Sequence, residues 1–197
     1  MEGNFPMSNI PSKPALRRIL RRERKNFVAN LPLFALERSF SAIPSMIKEH
    51  LAKANCIGLY APYGDEAPAL RYAKLLKEED IATALPTVNG DDLIFRQWQF
   101  GDDVSAGQFG IMEPATEQPI IMPDILIVPL LGFDGNGSRL GQGGGYYDRY
   151  LARHPNCAVI GLAWSAQKVA VIPTEPHDRK MDAIITEQSV IFFDKNG

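Results

Sequence analysis

The apolar positions of this chain change period several times. Over residues 13–30, Leu16, Ile19, Leu20 and Phe27 recur at helical spacing, while Lys13, Arg17, Arg21 and Lys25 recur every four residues on another face. Ser12 suits an N-cap, and Pro14 is tolerated in the first helical turn. A second helix is predicted over 33–54, bent or broken near Pro44. Residues 56–60, Cys-Ile-Gly-Leu-Tyr, read as a short strand. Helical spacing returns over 68–79 through Leu70, Ala73, Leu75 and Leu76. Residues 81–85 predict a strand that stops at Pro86, and the alternation over 93–100 predicts another. Residues 107–119 read as loop. The apolar runs 125–131 and 158–163 predict strands, the first covered on both faces. A helix is predicted over 146–154, and strands over 183–186 and 190–193.

Strands that alternate with helices argue for a mostly parallel sheet covered by helices. The 93–100 strand follows its predecessor too closely for a helical crossover, so an antiparallel pairing is expected there. Ligands of open α/β sheets bind beyond the carboxyl ends of the strands. That geometry gathers the loops after residues 60, 86, 131 and 163 on one edge. Residues 1–11, rich in Gly, Pro, Ser and Asn, are expected to be a flexible tail, with a single domain over 12–194. The 197 residues can bury a core without staples, and the net charge of −2 gives no global pull toward nucleic acid or anionic membrane. Cys56 and Cys157 match no zinc or redox spacing, which suits a reducing cytoplasm. The N-terminus has no apolar core of a signal peptide, and no apolar run approaches the ~20 residues of a membrane span.

Candidate chemistry concentrates in Arg139-Leu140-Gly141-Gln142-Gly143-Gly144-Gly145-Tyr146-Tyr147-Asp148. A strand, a glycine-rich loop and a helix start, in that order, build an anion site. The loop is neither a P-loop, which needs Lys-Ser or Lys-Thr after the glycines, nor the G-x-G-x-x-G dinucleotide fingerprint. A plain connecting turn is the alternative, but it needs no flanking Arg, Tyr-Tyr and Asp. Lys13 and Arg17, one turn apart, point the same way and suit a polyphosphate, or else belong to a solvated basic face. Asp65 and Glu66 follow the first strand; either orients a substrate N–H, holds a cation, or caps the next helix. Asp178 is a second carboxylate that could share a metal with Asp148, or it sits in a surface turn. His50, His154 and His177 read as structural or solvated.

Together these segments resemble the 5-formyltetrahydrofolate cyclo-ligase family, also called methenyltetrahydrofolate synthetase. The match runs in order through Lys13-x-x-x-Arg17, Gly64-Asp65-Glu66, Phe109-Gly110-Ile111-Met112-Glu113-Pro114, the Phe133 to Asp148 block and His177-Asp178-x-x-x-Asp182, over roughly residues 13–187. Gly144 stands where some relatives carry Lys, so any phosphate contact from that lysine is absent; Gln142 stands where some carry a larger or basic residue. The resemblance implies a three-layer αβα sandwich. It also implies ATP-dependent cyclisation of 5-formyltetrahydrofolate, with or without a polyglutamate tail, to 5,10-methenyltetrahydrofolate, with Mg²⁺ and release of ADP and phosphate. By the resemblance, Lys13, Arg17 and residues 139–147 (Arg139, Leu140, Gly141, Gln142, Gly143, Gly144, Gly145, Tyr146, Tyr147) hold ATP. Glu66, Phe109 and residues 142–146 face the folate, and Glu66, Tyr146 and Arg139 act at the reacting centre. Asp148 and Asp178 hold Mg²⁺. A monomer or weak homodimer is expected. Rival readings are a small-molecule kinase on the same scaffold and a folate- or nucleotide-binding protein without turnover.

Overall fold

The structure, a computed structural model, describes residues 11–175 and 178–194, and of these the side chain of Phe109 is left aside. The expected tail thus falls almost wholly outside the described residues, as does His177. Five helices and twelve strands follow one another among the described residues. They are α1 (Lys13–Ala29), α2 (Leu33–Arg38), α3 (Ser45–Leu51), β1 (Cys56–Gly58), α4 (Leu70–Glu78), β2 (Ala82–Asn89), β3 (Asp92–Gln97) and β4 (Val104–Ala106). Then come β5 (Met112–Pro114), β6 (Ile120–Ile121), β7 (Ile125–Pro129), β8 (Gly132–Phe133), β9 (Arg139–Leu140), α5 (Tyr146–Arg153), β10 (Ala158–Leu162), β11 (Ala183–Ile185) and β12 (Val190–Phe192).

Eight strands form one sheet in the order β12-β11-β10-β7-β1-β2-β3-β6. The five inner strands β11, β10, β7, β1 and β2 run parallel, while β3, β6 and β12 pair antiparallel. The expected antiparallel pairing of the strand after Pro86 is therefore present. The single-domain, mostly parallel three-layer sandwich is present as well. Successive residues of β7 point to opposite faces: Ile125 and Ile127 join a core with Ile47, Leu51, Tyr72 and Leu76 of α3 and α4. Leu126 and Val128 join another with Tyr150 and Leu151 of α5. That alternation is the period-2 geometry of a strand, with apolar residues on both faces because both faces are covered.

One local expectation is met and two are corrected. The 33–54 stretch is broken near Pro44 as expected, into α2 and α3 with residues 39–44 between them. Pro44 cannot continue a helix, and Phe40 takes φ 57°, with its buried ring edge-on to both Tyr72 and Trp164. Arg71 gathers the carbonyls of Leu36, Glu37 and Ser39 at this break, which replaces lost helical partners. The first correction is that β2 does not stop at Pro86. Trp98 N–H donates to Thr83 O, so the odd-numbered residues of β2 direct their backbone groups to β3 and the even ones to the β1 side. Pro86 turns its missing N–H to that second side, where β1 has already ended, so no ladder bond is lost. The second correction is that the 107–119 stretch is not all loop: β5 lies within it and pairs with β4.

The fold places a site by its topology. From β1 the chain moves to β2 on one side, then returns to β7 on the other. Such a switch point opens a crevice at the strands' carboxyl ends. A cavity of about 930 Å³ occupies it, with Tyr60 and Ala61 after β1, Pro86 and Val88 on β2 and Pro129 on β7 among its walls.

Candidate active site

α1 supplies one wall. Leu16 and Leu20 bury against Leu131, Leu140 and Ile172, and Phe27 packs on Trp164. This docking turns the basic face to the cavity. At about 100° per residue, positions 13, 17, 21 and 24 fall within about 80° of arc, whereas 25 lies about 120° from 13. Lys13, Arg17, Arg21 and Arg24 accordingly line the cavity; Lys25 is exposed, as are Arg18 and Arg22. The every-four pattern in the sequence is thus corrected at its last member. Lys13 Nζ meets Asp178 Oδ2 at 2.8 Å and Glu175 Oε2 at 3.2 Å. Burial works against the ammonium, but the hydrogen bonds it donates to these carboxylates, with their charge, outweigh it and raise its pKa. Arg17 Nε donates to Gly141 O at 3.0 Å, and Arg21 donates to the Gln142 side chain and carbonyl.

The glycine loop forms the facing wall. It does not follow the β7 strand directly: the β8–β9 hairpin intervenes. Asp134 organises the turn of that hairpin. Its buried Oδ1 accepts N–H groups from Asn136 and Ser138, and its Oδ2 accepts that of Ile172. Gly143 and Gly145 have φ of 108° and 68°, values that side chains resist, and Gly145 is the residue before the first turn of α5. A Cβ on Gly143 would also stand in van der Waals contact with the Arg17 guanidinium, 3.4 Å away. Arg149 clamps the loop from behind. It donates to Gly144 O and to Asp91 O and lies over the Tyr146 ring, 4.9 Å from its centroid. Arg139 donates to Asp148 Oδ1 and to Arg179 O; burial lowers its pKa, against the attraction of Asp148 and Asp178.

Glu66 lies midway along the cavity. Two contacts hold the segment that carries it: Trp164 Nε1 donates to Asp65 O at 3.0 Å, and Tyr60 Oη donates to Ala67 O at 2.6 Å. Glu66 does not cap the following helix, since α4 starts after Ala69 without a side-chain cap. Instead Oε2 accepts Tyr63 N–H at 3.1 Å and Oε1 accepts Gln142 Nε2 at 3.2 Å. Arg24 Nη1 lies 3.8 Å from Oε1, with the two side chains 8% and 9% exposed. Burial pushes the Glu66 carboxyl up; the Tyr63 N–H, the Arg24 charge and the Gln142 amide pull the other way and do not cancel it.

Asp148 lies in the first turn of α5 and Asp178 beside Lys13, and both line the cavity. Among the described residues no cluster of three or more His, Cys, Asp or Glu could hold a metal. Two carboxylates, each beside a cation, suit a Mg²⁺ ion that keeps waters and takes its remaining oxygens from phosphates.

The residues matched by the family model called 5-formyltetrahydrofolate cyclo-ligase family are 9–187, nearly the whole chain. The chain belongs to the 5-formyltetrahydrofolate cyclo-ligase family. It is 31% identical to the 5-formyltetrahydrofolate cyclo-ligase of Haemophilus influenzae over 86% of this chain and 95% of that one. The solved 5,10-methenyltetrahydrofolate synthetase of Aquifex aeolicus superposes with a TM-score of 0.76 at 28% identity, covering 94% of each chain. That of Mycoplasma pneumoniae gives 0.66 at 25% identity, over 90% of this chain and 99% of that one. For this cyclo-ligase-family chain, the cavity unites Lys13, Arg17, Glu66, residues 139–148 and Asp178. The Phe109 side chain lies outside the described set. Sequence reading missed three residues: Arg24, Arg21 as the partner of Gln142, and Arg149 as the clamp. Helical periodicity carried forward to position 24 would have found the first. No helix among the described residues is long and apolar enough to cross a membrane.

Proposed function

We propose that this protein cyclises 5-formyltetrahydrofolate to 5,10-methenyltetrahydrofolate with MgATP, releasing ADP and phosphate. The observation that carries this reading is the bridge between two surfaces of one cavity. Gln142 of the glycine loop donates to Glu66, which joins a phosphate-type cradle to a buried carboxylate. The formyl oxygen is a poor leaving group, so it takes the γ-phosphoryl group of ATP and ADP departs. N10 of the same folate then closes on the formyl carbon and sheds its proton, and the carbon–oxygen bond breaks with phosphate. The protein needs no nucleophile of its own; it must align two ligands and neutralise charge.

Each residue has a place in this scheme. Lys13, Arg17, Arg139 and the backbone of residues 140–147 hold the nucleotide, with the N-terminus of α5 behind it. Asp148 and Asp178 hold Mg²⁺ through oxygen or water. Held there, the ion would supply positive charge against the phosphates. Gln142, residues 143–145 and Tyr146 lie between nucleotide and folate. Glu66 receives a folate N–H as N10 closes; a carboxyl raised by burial is a better proton acceptor than a solvated one. The setting we propose is the cytoplasm, with a monomer or weak homodimer and a substrate with or without a polyglutamate tail.

The test is direct. Purified protein incubated with 5-formyltetrahydrofolate and MgATP should develop the near-ultraviolet absorbance of the methenyl product, with ADP formed in equal amount. ADP with a stable phosphorylated product would instead mark a kinase. Binding without turnover would end the enzymatic reading.

A further inference from the structure

Arg24 is the charged group in this cavity with the least accounted-for surroundings. It is 7% exposed, yet neither Nε nor Nη1 has a hydrogen-bond partner among the described residues. A guanidinium buried in that condition is costly unless a charge lies near it. The charge is Glu66, whose Oε1 is 3.8 Å from Arg24 Nη1. That separation is too long for a hydrogen bond but short enough for strong Coulomb attraction where water is excluded.

The rest of the environment of Glu66 isolates this pair. From the loop after β1 come the Tyr63 N–H and the phenol of Tyr60; from the glycine loop comes the Gln142 amide; from α5 comes the phenol of Tyr147. Burial raises both phenols, first among their causes, so they stay neutral and donate no charge. Arg21 reaches the carboxylate only through Gln142, whose Oε1 it holds. Asp65, the neighbouring acid, directs its carbonyl to Trp164. Arg24 is thus the cation that faces the Glu66 carboxylate directly.

We propose that Arg24 is a positioning residue that keeps the Glu66 carboxylate ionised and aimed into the cavity, ready to accept a substrate N–H. The proposal rests on the folate-facing reading of Glu66, but its first readout does not need turnover. Both α1 ends then serve one reaction: Lys13 and Arg17 act on phosphate, Arg24 acts through Glu66.

The experiment uses the full chain with ¹³C-labelled glutamate, Glu66 being assigned by its loss in Glu66→Gln. Titration of the unliganded protein should give a Glu66 midpoint that rises by about one pH unit or more in Arg24→Met, since an opposite charge within ~4–6 Å is worth that much. Arg24→Lys, which keeps the charge on a shorter stem, should move it less. In turnover, the acid limb of kcat/KM should shift upward with the midpoint, while the KM for ATP stays within about twofold. Combined with Glu66→Gln, Arg24→Met should add little further loss. A Glu66 midpoint unmoved in both variants overturns the proposal, as does a full additional loss in the Glu66→Gln background. If Arg24→Met does not fold, the titration of Arg24→Gln, which also removes the charge, decides: a raised midpoint supports the assignment and an unchanged one removes it. If the midpoint moves but the wild type forms no methenyl product, Arg24 positions Glu66 as stated and the folate reading is what fails.

Discussion

At the scale of single residues, the site is a set of cations and carboxylates in contact with one another. Lys13 is paired with Asp178 and Arg139 with Asp148. Under the proposed function, phosphate would exchange with these carboxylates for the cations, which would free Asp148 and Asp178 to hold a Mg²⁺ ion. Asp148→Asn should therefore abolish most Mg²⁺-dependent turnover and Asp178→Asn somewhat less, with neither unfolding the protein. A titration of rate against Mg²⁺ checks this; an unchanged maximal rate and Mg²⁺ requirement in Asp148→Asn would make that residue a plain partner of Arg139. Gly143→Val tests the cradle. Its φ of 108° excludes a branched side chain without strain, and the added Cβ would meet Arg17. ATP affinity should fall at least ~10-fold, about 1.4 kcal/mol, while the fold is kept; calorimetry with unchanged affinity would remove the loop from the ATP site.

At the scale of elements, local chemistry explains what could be read in advance. The glycine block and the run before α5 carry their meaning within a few residues, so their place at a strand-to-helix passage was legible. β7 was legible because both faces are covered, which makes it continuously apolar. What escaped depends on distant partners. Pro86 ends a strand only if its N–H is needed, and the early end of β1 removes that need. β4 and β5 are three residues each, and only their pairing makes them strands. Arg24 escaped because a four-residue repeat was carried forward where a helix turns every 3.6 residues. Gly58 shows the same dependence from the packing side. It sits in β1 at the centre of the sheet, where a Cβ would come within 2.3 Å of Leu126 Cδ2 and 3.0 Å of Phe95 and Pro123. Gly58→Ala should cost about 1–3 kcal/mol, the usual cost of overpacking a filled core. Chemical denaturation measures it, and a loss near zero would mean that the Leu126 side chain gives way freely.

At the scale of the whole molecule, the two faces of the sheet do different work. The face with α3 and α4 is packed by Tyr72, Leu76 and Trp164 and holds the Glu66 segment from below. The face with α5 ties the glycine loop to β3 through Arg149 and the Arg153–Asp92 ion pair. α1 closes the crevice between them, and its rigidity acts as a gauge. Lys13 and Arg24 are separated by eleven helical steps of about 1.5 Å, so roughly 16 Å of rod fixes how far the end beside Asp178 lies from the end beside Glu66. No loop adjustment can alter that interval without unwinding the helix. One alanine inserted after Arg22 would add a single step and turn Arg24 by about 100° relative to Lys13. Such a chain should retain its sheet and its nucleotide affinity yet lose turnover, and circular dichroism with ATP calorimetry and the methenyl assay would separate the three. The length of one helix, counted in residues, would then be the quantity that brings two substrates to reacting distance.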